Sequence, residues 1–196
     1  MFAYLRPALA LTVLFTILTG LAYPLAFTGI AQVIAPQAAN GSLIVKDGHV
    51  LGSALIGQEF KSDRYFHGRP SATTMPDPND PTKTVDAPYN ASASTGTNLG
   101  PTSEALYKSI SERAAALGPG PAPADLVTSS ASGLDPDISP AAAFIQVNRV
   151  AAARGMAPDS LRALVEAQVQ GRLFGILGER RVNVLALNLA LDQTKP

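Results

Sequence analysis

Apolar positions in this chain fall into two regimes. From Pro7 to Val45 runs a stretch of 39 residues without Asp, Glu, Lys, Arg or His. Beyond it, apolar residues recur among polar ones at the spacings of short strands and helices. Within the first stretch, Ala8–Phe27 supplies 20 apolar or weakly polar residues, enough to cross a hydrocarbon core of about 30 Å as a helix. Helix is the only single-segment way across, because lipid satisfies no free backbone groups. A cleaved signal peptide would have an apolar region of only about 7–15 residues, and the Ala22–Pro24 region is a poor cleavage site. A buried core helix would seldom be so apolar on all sides. The pattern therefore predicts a membrane helix over residues 8–30, with Pro24 tolerated near its end. Residues 1–7 form a short tail and residues 35–196 a soluble domain. Arg6 on one flank, against no basic residue on the other until Lys46, puts the tail in the cytoplasm and the domain outside.

The remaining pattern predicts a mixed domain. Apolar and β-branched runs flank Asp47-Gly48, a preferred pair for a type I′ turn, so strands are expected at 42–46 and 49–56. Residues 64–72 look strand-like and stop near Pro70. Thr73–Pro88, rich in Pro, Asp and Asn, reads as a long exposed loop. Helical spacing of Leu106, Ile110 and Leu117 predicts a helix over 101–117 with Pro101 in its first turn. Residues 118–124 read as a linker. Ser139-Pro140 predicts an N-cap and first helical residue for a helix ended by Gly155. A further helix is expected from Pro158 to Gly171. The run 182–191 alternates like a strand in places, yet Asn183 is a fitting helix cap; helix is the reading adopted. The fold class is α+β: a single N-terminal transmembrane helix followed by one soluble mixed α/β domain.

Composition narrows the chemistry. Fifteen basic and 15 acidic residues give zero net charge, unlike a chain built for nucleic acid. No cysteine is present, which excludes disulfides, thiolate catalysis and Cys-ligated metals. With only two histidines, His49 and His67, a His-rich zinc site or an HExxH metalloprotease is impossible from this chain alone.

Five features could carry chemistry, and each has a plainer reading. Ser92–Thr102 is Gly/Ser/Thr-rich and runs into a helix, as a phosphate cradle would. It lacks the Lys of a Walker loop, so a turn and helix cap is preferred. Ser129–Asp135 offers hydroxyls, but a serine nucleophile needs a base. Asp135 and Asp137 could pair for acid–base work or a cation, or serve turn chemistry, which is preferred. Arg149, Arg154, Arg162, Arg172, Arg180 and Arg181 concentrate positive charge in the last third. Salt-bridged helix faces are preferred there to an anion site. Gln146 and Arg149, three residues apart on one helix, either read a polar partner or cover the surface. In the apolar stretch, Thr12, Thr16, Thr19 and Gly20 share one broad face, suited to helix–helix docking.

Resemblance goes further. The blocks GSALIGQEF, YFHGRPSA, YNASASTGTNLGPT, DLVTSSASGLDPDISPAAAFIQVNRVAAARG and GRLFGILGERRVNVLALNLAL run in order from Gly52 to Leu191. They resemble the KdpC family of the Kdp high-affinity potassium-transporting ATPase, and the apolar helix sits where that family has its single span. The resemblance implies a non-hydrolytic accessory protein in the bacterial inner membrane. Its implied partners are a channel-like potassium-binding subunit, a P-type ATPase subunit, a small membrane peptide and the lipid bilayer, with no nucleic acid. It implies a catalytic chaperone that raises the ATP affinity of the ATPase subunit. No covalently bound cofactor is expected, and ATP enters only through the ATPase subunit. Gln146, with Arg149 beside it, is the nucleotide-contact candidate by family analogy.

Topology pulls against direct contact. ATP is cytoplasmic, whereas the charge pattern puts residues 35–196 on the other side. An effect on nucleotide affinity would then be a coupling through the membrane subunits. The mechanistic expectation is a helix docked on the channel-like subunit and an outer domain bracing or covering its mouth. The rivals are a membrane-anchored lid or small-ligand-binding domain over the potassium-entry mouth, and an enzyme.

Overall fold

The computed structural model describes residues 2–194, so Met1 and residues 195–196, at the ends of the expected tail and domain, lie outside the described residues. The chain divides into two compact units, one through Leu51 and one from Gly52.

The first unit is dominated by a continuous apolar helix, Leu5–Ile34, none of whose apolar window is buried. It comprises α1 (Leu5–Ile17), a π turn (Leu18–Ala22) and α2 (Tyr23–Ile34). The π turn lies just ahead of Pro24. Pro24 has no N–H to give and its ring crowds the preceding turn; a widened turn relieves both, as single π bulges do inside helices. Tyr23 N–H accordingly reaches back five residues to the Leu18 carbonyl. A short α3 (Pro36–Ala39) follows. Strands β1 (Leu43–Lys46) and β2 (His49–Ser53) then pair. Asp47 and Gly48 both take positive φ, 52° and 79°, as a type I′ turn demands. The second strand ends at Ser53 rather than running to 56.

In the second unit the expected loop Thr73–Pro88 folds into a small hairpin. Strand β3 (Thr74–Pro76) pairs antiparallel with β4 (Thr84–Asp86). Its connection is closed by aspartates: Asp77 Oδ1 accepts from Asn79 N–H at 2.8 Å, and Asp80 Oδ1 from Thr82 N–H at 3.2 Å. Composition marked the turn, but three-residue strands were too short to read. Helix α4 (Glu104–Leu117) starts later than the pattern predicts. Pro101 instead occupies a turn closed by Ser103 N–H on the Gly100 carbonyl at 3.0 Å, and Ser103 Oγ caps the helix. The expected linker ends where α5 (Ala124–Val127) begins.

The core lies among three helices and a small sheet. Strand β5 (Asp137–Ile138) precedes α6 (Pro140–Arg154), which is followed by α7 (Pro158–Gln168), β6 (Val169–Gln170), β7 (Arg181–Asn183) and α8 (Val184–Gln193). The sheet has order β5–β7–β6, both pairs antiparallel. As read, α6 has Ser139 as N-cap and left-handed Gly155 just past its end. The α7 helix gives way to β6 before Gly171. The ambiguous 182–191 run is both things at once: a strand to Asn183, then a helix. Asn183 Oδ1 caps that helix at Ala186 N–H, 3.0 Å, while Nδ2 donates to Ala54 O and Asp137 Oδ1. Val147, Val150, Leu161, Val165, Val182, Leu187 and Leu191 are fully buried together, and Phe66 packs with them.

Candidate functional site

Phe66 leads to the polar centre of the domain. The strand-like segment 64–72 contains no strand: it opens with a turn at 62–65 and then runs irregularly. Its missing ladder partner is replaced by side chains from α6 and α8. Arg149 Nη1 donates to the Asp63 carbonyl at 2.8 Å, Arg154 Nε to Arg64 at 2.7 Å, and Arg149 Nη2 to Tyr65 at 3.0 Å. Asn188 Nδ2 donates to the Phe66 carbonyl at 3.0 Å and Gln146 Nε2 to His67 at 3.1 Å. Two N–H groups are returned, Phe66 to Asn188 Oδ1 and His67 to Gln146 Oε1, at 2.9 and 2.8 Å. Two amides thus act as peptide groups, as buried backbone requires a partner for every donor and acceptor. Asn188 belongs to this constellation and was not singled out from the sequence, and Arg154 stood out there only as one of the arginines of the last third.

Gln146 is buried and fully used. Besides its two bonds to His67, Nε2 donates to the Ala142 carbonyl at 3.0 Å and Oε1 accepts from Arg149 Nη2 at 2.8 Å. An amide offers two donors and two acceptor sites, and all four are committed inside the fold. Arg149 is similarly engaged and also pairs with Asp63 at 3.4 Å. Its desolvation lowers the guanidinium pKa, opposed by Asp63. A cleft of about 270 Å³ opens beside them, lined by His67, Arg113, Leu117, Leu126, Gln146 and Arg149. Burial, and then Arg149, lower the His67 pKa, so the imidazole is neutral at pH 7. The cleft is at the small end of the about 300–1,000 Å³ usual for small-molecule sites, and the Gln146 side chain offers it no free hydrogen-bonding atom.

Other sequence candidates resolve into structure. In Ser92–Thr102, Thr95 N–H is tied to the Ser132 carbonyl at 3.1 Å. The following helix start carries its own Ser103 cap and Glu104, whose negative charge opposes a phosphate there. The Ser129–Asp135 loop is a packing hub. Its Leu134 carbonyl accepts from Gly57 N–H at 2.8 Å, and its Gly133 carbonyl from Ser71 Oγ at 2.8 Å. Gly133 takes φ +67°, and a Cβ there would sit 2.7 Å from the Thr95 carbonyl.

Asp135 and Asp137 each take a separate cation, Arg69 and Arg181, both at 3.0 Å. Asp135 Oδ1 also closes a turn on Asp137 N–H. Desolvation raises the Asp137 pKa, against its bonds to Asn183 and Arg181. The arginines of the last third mostly pair: Arg154 with Asp192 at 2.6 Å and Arg172 with Glu179 at 2.8 Å. Arg162 lies over the Phe144 ring at 5.7 Å. Among the described residues no group of three His, Cys, Asp or Glu could hold a metal.

On the apolar helix, Thr16 Oγ1 bonds the Thr12 carbonyl at 2.8 Å and Thr19 Oγ1 the Phe15 carbonyl at 2.7 Å. Both hydroxyl protons are therefore spent on the helix itself. Around Gly20 the space that a Cβ would enter is open.

The comparisons with known proteins decide what this architecture belongs to. Residues 5–193 match the family described as KdpC, K+-transporting ATPase, c chain. The chain belongs to the KdpC family. It is 64% identical over 194 residues to the potassium-transporting ATPase KdpC subunit of Rhodopseudomonas palustris (strain BisB5), covering 97% of this chain and 96% of the relative. It is equally similar, 64% over 193 residues, to the KdpC subunit of Bradyrhizobium diazoefficiens, with 96% of each chain covered. The Methylorubrum populi protein of the same name is 63% identical over 197 residues, 98% of each. Family membership makes the chain a subunit of a K+-transporting ATPase, and among the described residues it has one candidate membrane-spanning helix, followed by an α/β region.

Proposed function

We propose that this chain is a non-hydrolytic brace of the potassium-transporting ATPase. Its apolar helix docks against the channel-like potassium-binding subunit in the bacterial inner membrane. Its domain, on the extracytoplasmic side, holds or covers that subunit's mouth. Any rise in the ATP affinity of the P-type ATPase subunit then comes from contacts that differ between two pump states, with no nucleotide touched by this chain. The small membrane peptide completes the same assembly.

The observation that carries this reading is the commitment of all four hydrogen-bonding positions of Gln146 to the fold. A residue that must hold His67 and Arg149 cannot also read a nucleotide without breaking a buried network. Removing one partner of such a network leaves desolvated groups unpaired.

Sidedness tests it. The chain has no cysteine, so Ser160→Cys, at an exposed position of α7, gives a single probe. Labelling by a membrane-impermeant maleimide in intact cells is the expected result. Labelling only after the cells are opened would put the domain with cytoplasmic ATP and overturn the reading. A chain lacking residues 35–196 that still assembles and pumps normally would overturn it as well.

A further inference from the structure

Strands β6 and β7 are joined by a ten-residue excursion, residues 171–180, that presents a finger of large apolar side chains. Leu173, Phe174, Ile176 and Leu177 are 61%, 84%, 76% and 59% exposed. Scattered apolar surface residues need no explanation, but a contiguous cluster does.

The finger is built rather than slack. Leu173 and Leu177 exchange both backbone bonds, at 2.9 and 3.0 Å, and Gly175 N–H closes on the Arg172 carbonyl at 3.0 Å. The stalk is the antiparallel pair Val169↔Val182 and Gln170↔Arg181. At the tip Phe174 itself takes a left-handed φ of 54°, a conformation disfavoured for an aromatic residue. The short loop closed by the Leu173–Leu177 pair and by Gly175 N–H sets that conformation and leaves the Phe174 side chain out in the open.

We infer that the Leu173–Leu177 finger is a preformed anchor that inserts into an apolar socket on another protein subunit of the ATPase. This rests on the reading above that the domain braces a partner chain. Three observations favour a protein socket over lipid. Family membership makes this chain part of a potassium-transporting ATPase, so partner chains are at hand. The charge at the base is nearly balanced, Arg172 by Glu179 and Arg181 by Asp137. That leaves Arg180 without an ion pair among the described residues, too little to recruit an anionic membrane but suited to a carboxylate on the socket's rim. Beside the finger, Pro140, Ala141, Gly171, Gly175, Glu179 and Arg180 line an open cleft of about 590 Å³. Knob and cleft together make a shaped surface, which lipid does not need and a protein interface rewards. A fixed aromatic anchor also loses little entropy on docking.

Two experiments on the assembled complex test this. First, p-benzoylphenylalanine replaces Phe174 in the full chain, and native membranes are irradiated. An adduct with another subunit of the ATPase is expected. Adducts only with lipid, or only with a second copy of this chain, overturn the inference. Second, Phe174→Asp is expected to reduce the fraction of complex retaining this chain in detergent by at least about tenfold. Phe174→Leu, and Tyr107→Asp at an exposed position of α4, should retain it. Because residue 174 is exposed, unchanged melting of the Phe174→Asp chain separates lost docking from lost folding. Retention of Phe174→Asp at the wild-type level overturns the anchor. If the same complex still requires residues 35–196 for assembly, the brace survives and only the finger falls.

Discussion

Gln146 and His67 form a closed pair across the domain: the Gln146 amide accepts from the His67 N–H at 2.8 Å and donates to the His67 carbonyl at 3.1 Å. They are 79 positions apart in sequence. The pair fixes the extended segment onto α6, and Gln146 also orients Arg149. Gln146→Ala would leave the His67 peptide groups and part of the Arg149 guanidinium without partners. The His67 peptide groups are part-buried and Arg149 keeps its bonds to Asp63 and Tyr65, so the lower part of the about 1–3 kcal/mol per unsatisfied group applies, and a loss of roughly 2–4 kcal/mol is expected in denaturant unfolding of the full chain. Unchanged stability, with a selective loss of ATP affinity in the complex, would instead mark Gln146 as a nucleotide contact.

Asn188 does for Phe66 what Gln146 does for His67, with bonds of 2.9 and 3.0 Å. The two amides grip neighbouring residues, so their loss should not be additive. Asn188→Ala alone is expected to cost about 2–4 kcal/mol. The double variant should cost measurably less than the sum, because the first break already frees the segment. A double-mutant cycle in urea checks this; strict additivity would mean that 64–70 is held elsewhere.

Acidification should weaken the fold through His67. Its pKa is lowered in the folded state, by burial first and Arg149 second. Below about pH 6.5, the unperturbed value, the unfolded chain therefore takes the proton first. Stability contributed by the neutral imidazole is present above that pH and falls as pH drops toward the lowered folded value. Asp137 acts in the opposite sense in a lower window. Its pKa is raised, so protonation favours the folded state as pH falls toward the carboxylate range. Melting at pH 7.5 and 5.5 should show a drop that His67→Asn reduces. An equal drop in that variant would place the sensitivity elsewhere.

The parts of the fold legible in the sequence are those whose cause is local. The type I′ turn at Asp47-Gly48, the Ser139 cap, the Gly155 stop and the Asn183 cap each follow from a few neighbouring residues. Pro101 misled because Gly100 before it and Ser103 after it make a turn, and the helix starts only at Glu104. The clamp was half legible: Gln146 and Arg149 stood out by their spacing, but their partners are main-chain groups far away in sequence. Residues 64–72 had the composition of a strand and the need for a ladder, yet side chains supply it. Asn188 carried the missed signal. A lone amide inside the apolar run VLALNLAL is costly to bury without a partner, and its partner is Phe66.

Ser139 joins two elements, and its loss should be felt as more than a cap. Its Oγ accepts from Ala142 N–H at 3.0 Å and lies 3.2 Å from Asp125 Oδ1, while its N–H donates to Asp125 Oδ2 at 2.6 Å. Ser139→Ala removes the cap, worth about 1 kcal/mol, and the hydroxyl bond to Asp125. Asp125→Ala keeps the cap but leaves the Ser139 N–H unpaired. Both should lower the melting temperature of the full chain without affecting membrane insertion. Unchanged melting in both would remove the start drawn for α6.

If the apolar helix docks on another subunit as proposed, the hydroxyls bonded to their own backbone and the missing side chain at Gly20 offer two distinguishable contacts. Thr16 donates to the Thr12 carbonyl within its own helix, so its proton is not available to a neighbour. Thr16→Val keeps the shape and should leave assembly nearly unchanged, since interhelical polar contacts average only about 0.6 kcal/mol. Gly20 offers a site where another helix backbone could approach closely. Gly20→Ile fills that space with a branched side chain and should reduce co-purification with the other subunits several-fold, while insertion into the membrane is kept. Retention of the Gly20→Ile chain with loss of the Thr16→Val chain would reverse the assignment: the hydroxyl, turned out of its own helix, would then be the docking contact.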